Sequence, residues 1–479
     1  MISDFHLRTR RDFLTTSASG LGGLALAHLL TEDGALGATP GALNPMAPRL
    51  THFAPKAKNV IFLFMAGGPS HLDLFDWKPE LKKRHGQSIP ESFTKGKRFA
   101  FMNSSFKNAN KLQGTIREFK QHGQCGRWVS EIFPHVGAMA DELCFINSVH
   151  CSNSRHGGAL LELHTGSDTF VRPSMGSWIT YGLGTENQNL PGYITICPTQ
   201  THDGMNAWSS AFLPAHYHGT RVGLHGIPAG EAKIPFIENK EISRDQQRLE
   251  LDLLATMNAE HLKARGRDDA LEARIASFEL AFRMQREAPR VQDVSRESEA
   301  TKKLYGLDAD KTRDFGTQCL LARRFAEAGV RFVQVTHSYK WDAHSKVKEN
   351  HSTNAAEVDQ PIAGLLRDLK ARGLLEDTLV MWGGEFGRTP VSQSGNGRDH
   401  NPHAMTMFFA GAGIRPGIAH GRTDDHGYYA VENKVHYHDL HATLLHLLGL
   451  DHTRLTYRYA GRDFRLTDVE GEVVKDILA

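Results

Sequence analysis

Six consecutive large apolar residues, Val60-Ile61-Phe62-Leu63-Phe64-Met65, stop abruptly at Ala66-Gly67-Gly68-Pro69. A run this short and this uniformly apolar, without alternation, fits a strand buried on both faces, and such strands belong to parallel sheets covered by helices. The chain repeats the pattern. Residues 330–336 follow a helix-like stretch at 312–328, and 378–382 follow another at 355–372 that Gly373 closes. Met405–Ala410 is a fourth run. Strands alternating with helices predict a doubly wound, mostly parallel α/β sheet with its functional residues at the strand C-termini.

Residues 243–300 break the rhythm. They are charged and Gln-rich, with apolar positions Leu249, Leu253, Leu254, Leu271, Ile275, Phe278 and Phe282, which predicts a helical hairpin laid over the core, not a second catalytic domain. Segments 168–240 and 412–437 are rich in Gly, Pro and Asn and read as long loops able to form lids or binding walls. One α/β domain is therefore expected over 50–479, with the hairpin as an insertion.

The first 38 residues are expected to be a cleaved leader. Thr9-Arg10-Arg11-Asp12-Phe13-Leu14 precedes an apolar, Gly- and Ala-rich run over 16–30, and Ala35-Leu36-Gly37-Ala38 supplies a small-residue end. Paired arginines followed by Phe-Leu resemble a twin-arginine export signal, so the mature protein is expected in the periplasm or outside the cell. The run is too short and too Gly-rich to span a bilayer, and no second long apolar stretch follows, so no transmembrane segment is expected in the mature chain. With 56 basic against 54 acidic residues the net charge is +2, and nothing pulls the chain toward nucleic acid. Cys125, Cys144, Cys151, Cys197 and Cys319 form no CxxC pair, which excludes a zinc ribbon or a dithiol redox motif, and burial is expected for them.

Histidine is abundant, 27 of 479 residues, and ligand-type side chains follow each predicted strand. His71, Asp73 and Asp76 come after the first; His337, Asp342, His344 and His351 after the second; Glu385 and Arg388 after the third. Asp399, His400 and His403 precede the fourth, and Ser154, His156 and His164 lie near the middle of the chain. A parallel sheet brings such strand ends to one edge. The metal candidates are His71, Asp73, Asp342, His344, Glu385, His400 and His403. Mixed imidazole and carboxylate ligands favour one or two ions of Zn, Mn or Fe, with Ca or Mg also compatible. A divalent ion there would polarise an ester oxygen or activate water. Arg388 is a candidate for binding a substrate oxyanion or for neutralising buried acidic ligands.

These motifs together resemble the exported bacterial domain-of-unknown-function 1501 family. The resemblance rests on the twin-arginine leader, Gly67-Gly68-Pro69-Ser70-His71-Leu72-Asp73, Trp341-Asp342-Ala343-His344, Gly384-Glu385-Phe386-Gly387-Arg388-Thr389-Pro390 and Gly397-Arg398-Asp399-His400. It extends to 172–178 and to His438-Asp439-Leu440-His441-Ala442-Thr443. The family is described as sulfatase-like, within the alkaline phosphatase superfamily. The resemblance therefore implies that fold type, one or two divalent metals, and hydrolysis of sulfate or phosphate esters of a small molecule or a polysaccharide. It also places His156 where the superfamily carries its nucleophile, and Phe386 where it carries a metal histidine. His156 is thus a candidate nucleophile, metal ligand or transition-state partner, and Ser154 a substitute nucleophile. Two other readings stand beside the hydrolase. One is a catalytically degenerate metal- or glycan-binding protein with cell-envelope partners; the other is a phosphate-transferring mutase.

Overall fold

The apolar run forms strand β1 (Asn59–Met65), with every residue from Val60 to Met65 buried. The remaining strands of its sheet are β2 (Cys144–His150), β3 (Tyr193–Ile196), β4 (Thr220–Val222), β5 (Phe332–His337) and β6 (Thr378–Gly383). After a hairpin of β7 (Gly387–Gln393) and β8 (Gly397–Asn401), the chain returns as β9 (Met405–Ala410), β10 (Ile418–His420) and β11 (Val435–His436). The nine-stranded sheet runs β10-β2-β9-β6-β1-β5-β3-β4, with β11 also paired to β2. The computed structural model describes residues 45–94, 111–200, 202, 204–266 and 269–479, with Pro48–Ala479 as one compact unit. The leader expected over 1–38 lies outside the described residues.

The sheet is parallel except at β9, which runs antiparallel to both β2 and β6. That reversal matters for function. It brings the start of β9, and the β7–β8 hairpin before it, to the edge where β6 ends.

The pleat sends alternate residues of β1 to opposite faces. Ile61 and Leu63 join the apolar cluster of Phe315, Leu320 and Ile362, which come from α5 (Asp310–Glu327) and α6 (Val347–Ala371). Phe64 turns the other way, edge-on to His164 at 4.9 Å, in α1 (His156–Thr165). Helix α2 (Met175–Leu183) follows it, and α7 (Tyr437–Leu447) closes the domain. The hairpin expected at 243–300 consists of α3 (Arg244–Arg265), started by a Ser243/Gln246 capping box, and α4 (Asp269–Gln292). Arg248 grips the Glu279 carboxylate from across it at 2.7 and 2.9 Å.

Neither expected loop segment is loop throughout: α2, β3 and β4 lie within 168–240, and β10 and β11 within 412–437; their Gly and Pro residues mark short connections between brief elements. Helix α6 starts at Val347, well before the expected 355, and carries His351 inside it. The His351 ring is fully buried, and its Nε2 accepts the Ser70 N–H at 2.9 Å. Four cysteines are buried as expected, but Cys125 is exposed. Among the described residues no helix is long and apolar enough to cross a membrane.

Candidate metal centre

Register fixes the floor of the site. Met65 pairs with His337 and Phe64 with Gly383, so the turn after β1 meets the loops carrying Asp342 and Glu385. Gly67 has φ +111, and a Cβ on it would lie 2.5 Å from the Asp342 nitrogen; the approach requires glycine. The Gly67 N–H donates to both oxygens of the fully buried Glu385 carboxylate, at 2.9 and 3.1 Å.

His156 opens α1, whose extended N-cap residue Arg155 provides no side-chain cap. His400 stands on β8 beside a β-bulge between Arg398 and His400, a feature that re-aims side chains at strand edges. His156, Asp342, His344 and His400 each place one ligand atom within 4.8 Å of the others.

Each imidazole is held in the same sense. His156 Nδ1–H donates to Glu385 Oε1 at 2.7 Å, His344 Nδ1–H to Gln393 Oε1 at 2.6 Å, and His400 Nδ1–H to the Ser154 carbonyl at 2.8 Å. With Nδ1 committed as donor, Nε2 is the lone-pair nitrogen of each neutral ring. Those Nε2 atoms face Asp342 at 3.4, 2.9 and 3.4 Å for His156, His344 and His400. His156 Nε2 is buried without hydrogen-bond geometry to any partner. Outer acceptors fixing the tautomer so that the second nitrogen points at a common centre is the arrangement of metal-binding histidines. Three imidazoles and one carboxylate suit Zn²⁺, Mn²⁺ or Fe²⁺ better than Ca²⁺ or Mg²⁺.

Paired charges, opposed by burial, set the electrostatics of the cluster. Burial alone would raise the Asp342 carboxyl, but the three histidines and Arg388 outweigh it and hold it far below the usual range. Burial would depress His156, yet the facing Asp342 and Glu385 carboxylates raise it. Burial prevails at His400, whose ring is held low and therefore neutral.

Glu385, expected as a ligand, stands behind His156 and orients it. Arg388 is fully buried and already committed: Nε donates to the Gly68 carbonyl at 2.8 Å, Nη1 to the Arg398 carbonyl at 3.2 Å, and Nη2 to Asp342 Oδ1 at 2.6 Å. Of its two expected roles, neutralising a buried carboxylate matches these contacts, and its donors are not presented to a substrate. His71 and Asp73 do not join the cluster. His71 Nε2–H donates to the Gly427 carbonyl at 2.8 Å, while Asp73 takes Arg398 Nε at 2.7 Å and the Ser70 hydroxyl at 2.6 Å. His403 packs against the Tyr429 ring at 5.0 Å. Gln393 and the Ser154 carbonyl escaped sequence reasoning because neither is a ligand type. A second group, His436, His438 and Glu470, also brings three ligand-type atoms within 4.8 Å; Glu470 has no motif that would have revealed it.

Fold and site thus define a class: an α/β protein with a histidine–aspartate cluster at the edge where its parallel strands end. The chain belongs to the family described as "Protein of unknown function (DUF1501)", matched over residues 57–478. Among curated proteins none matches the sequence. Solved structures similar to it include the lipoteichoic acid synthase LtaP from Listeria monocytogenes, at 10% identity and TM-score 0.34, covering 89% of this chain and 79% of that one. The PsFucS1 sulfatase from Pseudoalteromonas sp. matches at 12% identity and TM-score 0.34, covering 89% and 70%. The phosphonate monoester hydrolase SpPMH from Silicibacter pomeroyi matches at 15% identity and TM-score 0.33, covering 72% and 71%.

Proposed function

We propose that this protein is an exported, metal-dependent hydrolase of sulfate or phosphate esters. His156, Asp342, His344 and His400 would hold one divalent transition-metal ion, which would supply Lewis-acid polarisation of the ester oxygen. The observation that carries the reading is the common orientation of the three imidazoles, each with Nδ1 committed to an outer acceptor and Nε2 turned to Asp342.

The chain's own groups fit an anionic ester. Helix α1 points its N-terminus at the cluster without a side-chain cap, so backbone N–H groups of the first turn are free to meet an oxyanion. Gly157 leaves that surface open, since a Cβ there would meet only the His202 carbonyl, 3.8 Å away. His156 is held by Glu385 on one nitrogen and faces Asp342 with the other, which supports ligand over nucleophile. Water is then the attacking group. Arg388 balances the Asp342 charge from behind. The twin-arginine-like leader supports export.

A second reading, a metal-binding envelope protein without turnover, is favoured by one feature: neither a hydroxyl nor a thiol occupies the first position of α1. Assay of metal-loaded protein with chromogenic sulfate and phosphate esters separates the two. The hydrolase reading expects turnover that disappears with chelation and in Asp342→Asn; inactivity toward both ester classes by protein carrying its metal favours the binding protein.

A further inference from the structure

His436 caps α7 and His438 lies in its first turn, while Glu470 reaches them from the C-terminal segment that packs over this helix start. That segment is already tied to α7 at two points. The Glu472 N–H donates to Asp439 Oδ1 at 2.8 Å, and the Val474 N–H to Thr443 Oγ1 at 2.9 Å.

What the two rings face decides where their protons sit. His438 has an oxygen acceptor beside each nitrogen: the Gly166 carbonyl 3.0 Å from Nε2, and Glu470 Oε2 3.1 Å from Nδ1. A neutral imidazole has one proton to give. The buried carbonyl has the stronger claim on it, because Glu470 is 64% exposed and is solvated by water. The Nδ1 lone pair is then left facing a carboxylate, two acceptors that a cation between them would satisfy.

His436 is set the same way. Its Nδ1 takes the His438 N–H at 3.3 Å, so its proton is on Nε2, which faces Glu162 Oε1 at 3.1 Å. The 3.3 Å contact is longer than an ordinary hydrogen bond and yields to an ion. The Glu162 pairing is made by the other nitrogen and does not need one. Both rings thus carry an oxygen behind Nε2, as metal-binding histidines do, and the three side chains bring ligand atoms within 4.8 Å of one another. The positive end of α7 is countered by Asp439 in its first turn and by the C-terminal end of α1 at Gly166.

We propose that His436, His438 and Glu470 form a second, exchangeable site for a divalent transition-metal ion, which fastens the C-terminal segment to α7. Imidazole with carboxylate suits Zn²⁺ and its neighbours better than Mg²⁺. Three protein ligands leave a position for water, and Glu470 faces solvent, so the site empties on gel filtration and fills when the ion is added. It depends neither on ester hydrolysis nor on the centre at Asp342.

The test is calorimetric titration with Zn²⁺ of gel-filtered Asp342→Asn protein, whose first centre is disabled, together with hydrogen exchange over residues 466–474. One equivalent is expected to bind, with affinity at least tenfold lower when Glu470→Gln or His438→Gln is added. Exchange over 466–474 is expected to slow only where the ion binds. Glu470→Gln changes an exposed side chain, so it keeps the test valid where His438→Gln fails to fold. No uptake of Zn²⁺, uptake unchanged by Glu470→Gln, exchange unaltered by the bound ion, or equal uptake of Mg²⁺ overturns the proposal.

Discussion

His156 Nδ1 lies 2.7 Å from Glu385 Oε1, and two backbone hydrogen bonds from Gly67 hold that carboxylate in place. Glu385 therefore acts on the centre through His156. Glu385→Gln keeps an acceptor for the imidazole but loses the charge that fixes its orientation. The expected result is a metal dissociation constant weakened by about 10–100-fold, with the site still able to fill. Competition against a chelator measures it; complete loss of metal would make Glu385 a direct ligand.

Arg388 separates a structural from a substrate-binding role. Its guanidinium spans Gly68, Arg398 and Asp342, so Arg388→Lys cannot reproduce the fork. Stability should fall by about 2–4 kcal/mol, visible in thermal melts. A raised KM with an unchanged melting temperature would return Arg388 to the substrate.

Asp73 offers the opposite contrast. Burial alone would raise its carboxyl, but Arg398 and Ser70 hold it at about 2, below the ordinary 3.8. A depressed carboxylate contributes stability that is fully present above 3.8 and is lost as pH falls toward 2. Asp73→Ala leaves the fully buried Arg398 unpaired and should cost about 3–5 kcal/mol. Metal content measured on the folded fraction should not change.

A second pH dependence comes from His436 and Glu162, 3.1 Å apart. Burial opposes both charges, yet each partner overcomes it: His436 is raised above 6.5 and Glu162 lowered below 4.5. The histidine's contribution is complete below 6.5 and fades as pH rises through its folded value. The glutamate's is complete above 4.5 and fades as pH falls through its own. The pair thus stabilises most between those limits, by about 1.5 kcal/mol. In His436→Gln the decline on the alkaline side should disappear from stability measured by denaturant across pH; an identical profile in both proteins would contradict the pairing.

Much of the architecture was legible because fully buried parallel strands need uninterrupted apolar runs, as in Val60 to Met65, and because their ends must share an edge. Asp342, His344 and His400 could be picked from that rule together with His156, which the resemblance singled out. His71 and Asp73 carried the same signal for a different cause, a buried turn that needs internal partners. The roles of Glu385 and Arg388 were not legible. Both are set by distances to Gly67, Gly68 and His156, contacts made across roughly 230 to 320 residues of chain. No local pattern encodes them. The antiparallel sense of β9, which delivers His400 to the site, was hidden likewise, since an apolar run reads the same in either direction.

The most direct measurement is elemental analysis of protein purified from its native host without chelator or histidine tag, beside Asp342→Asn prepared identically. Asparagine retains the oxygen that Arg388 binds, so the fold should survive. One equivalent of Zn, Mn or Fe per chain in the parent protein, absent from the folded variant, is the predicted result. A folded parent that carries no such ion and takes none up, or a variant that retains the full equivalent, would contradict the assignment of this centre.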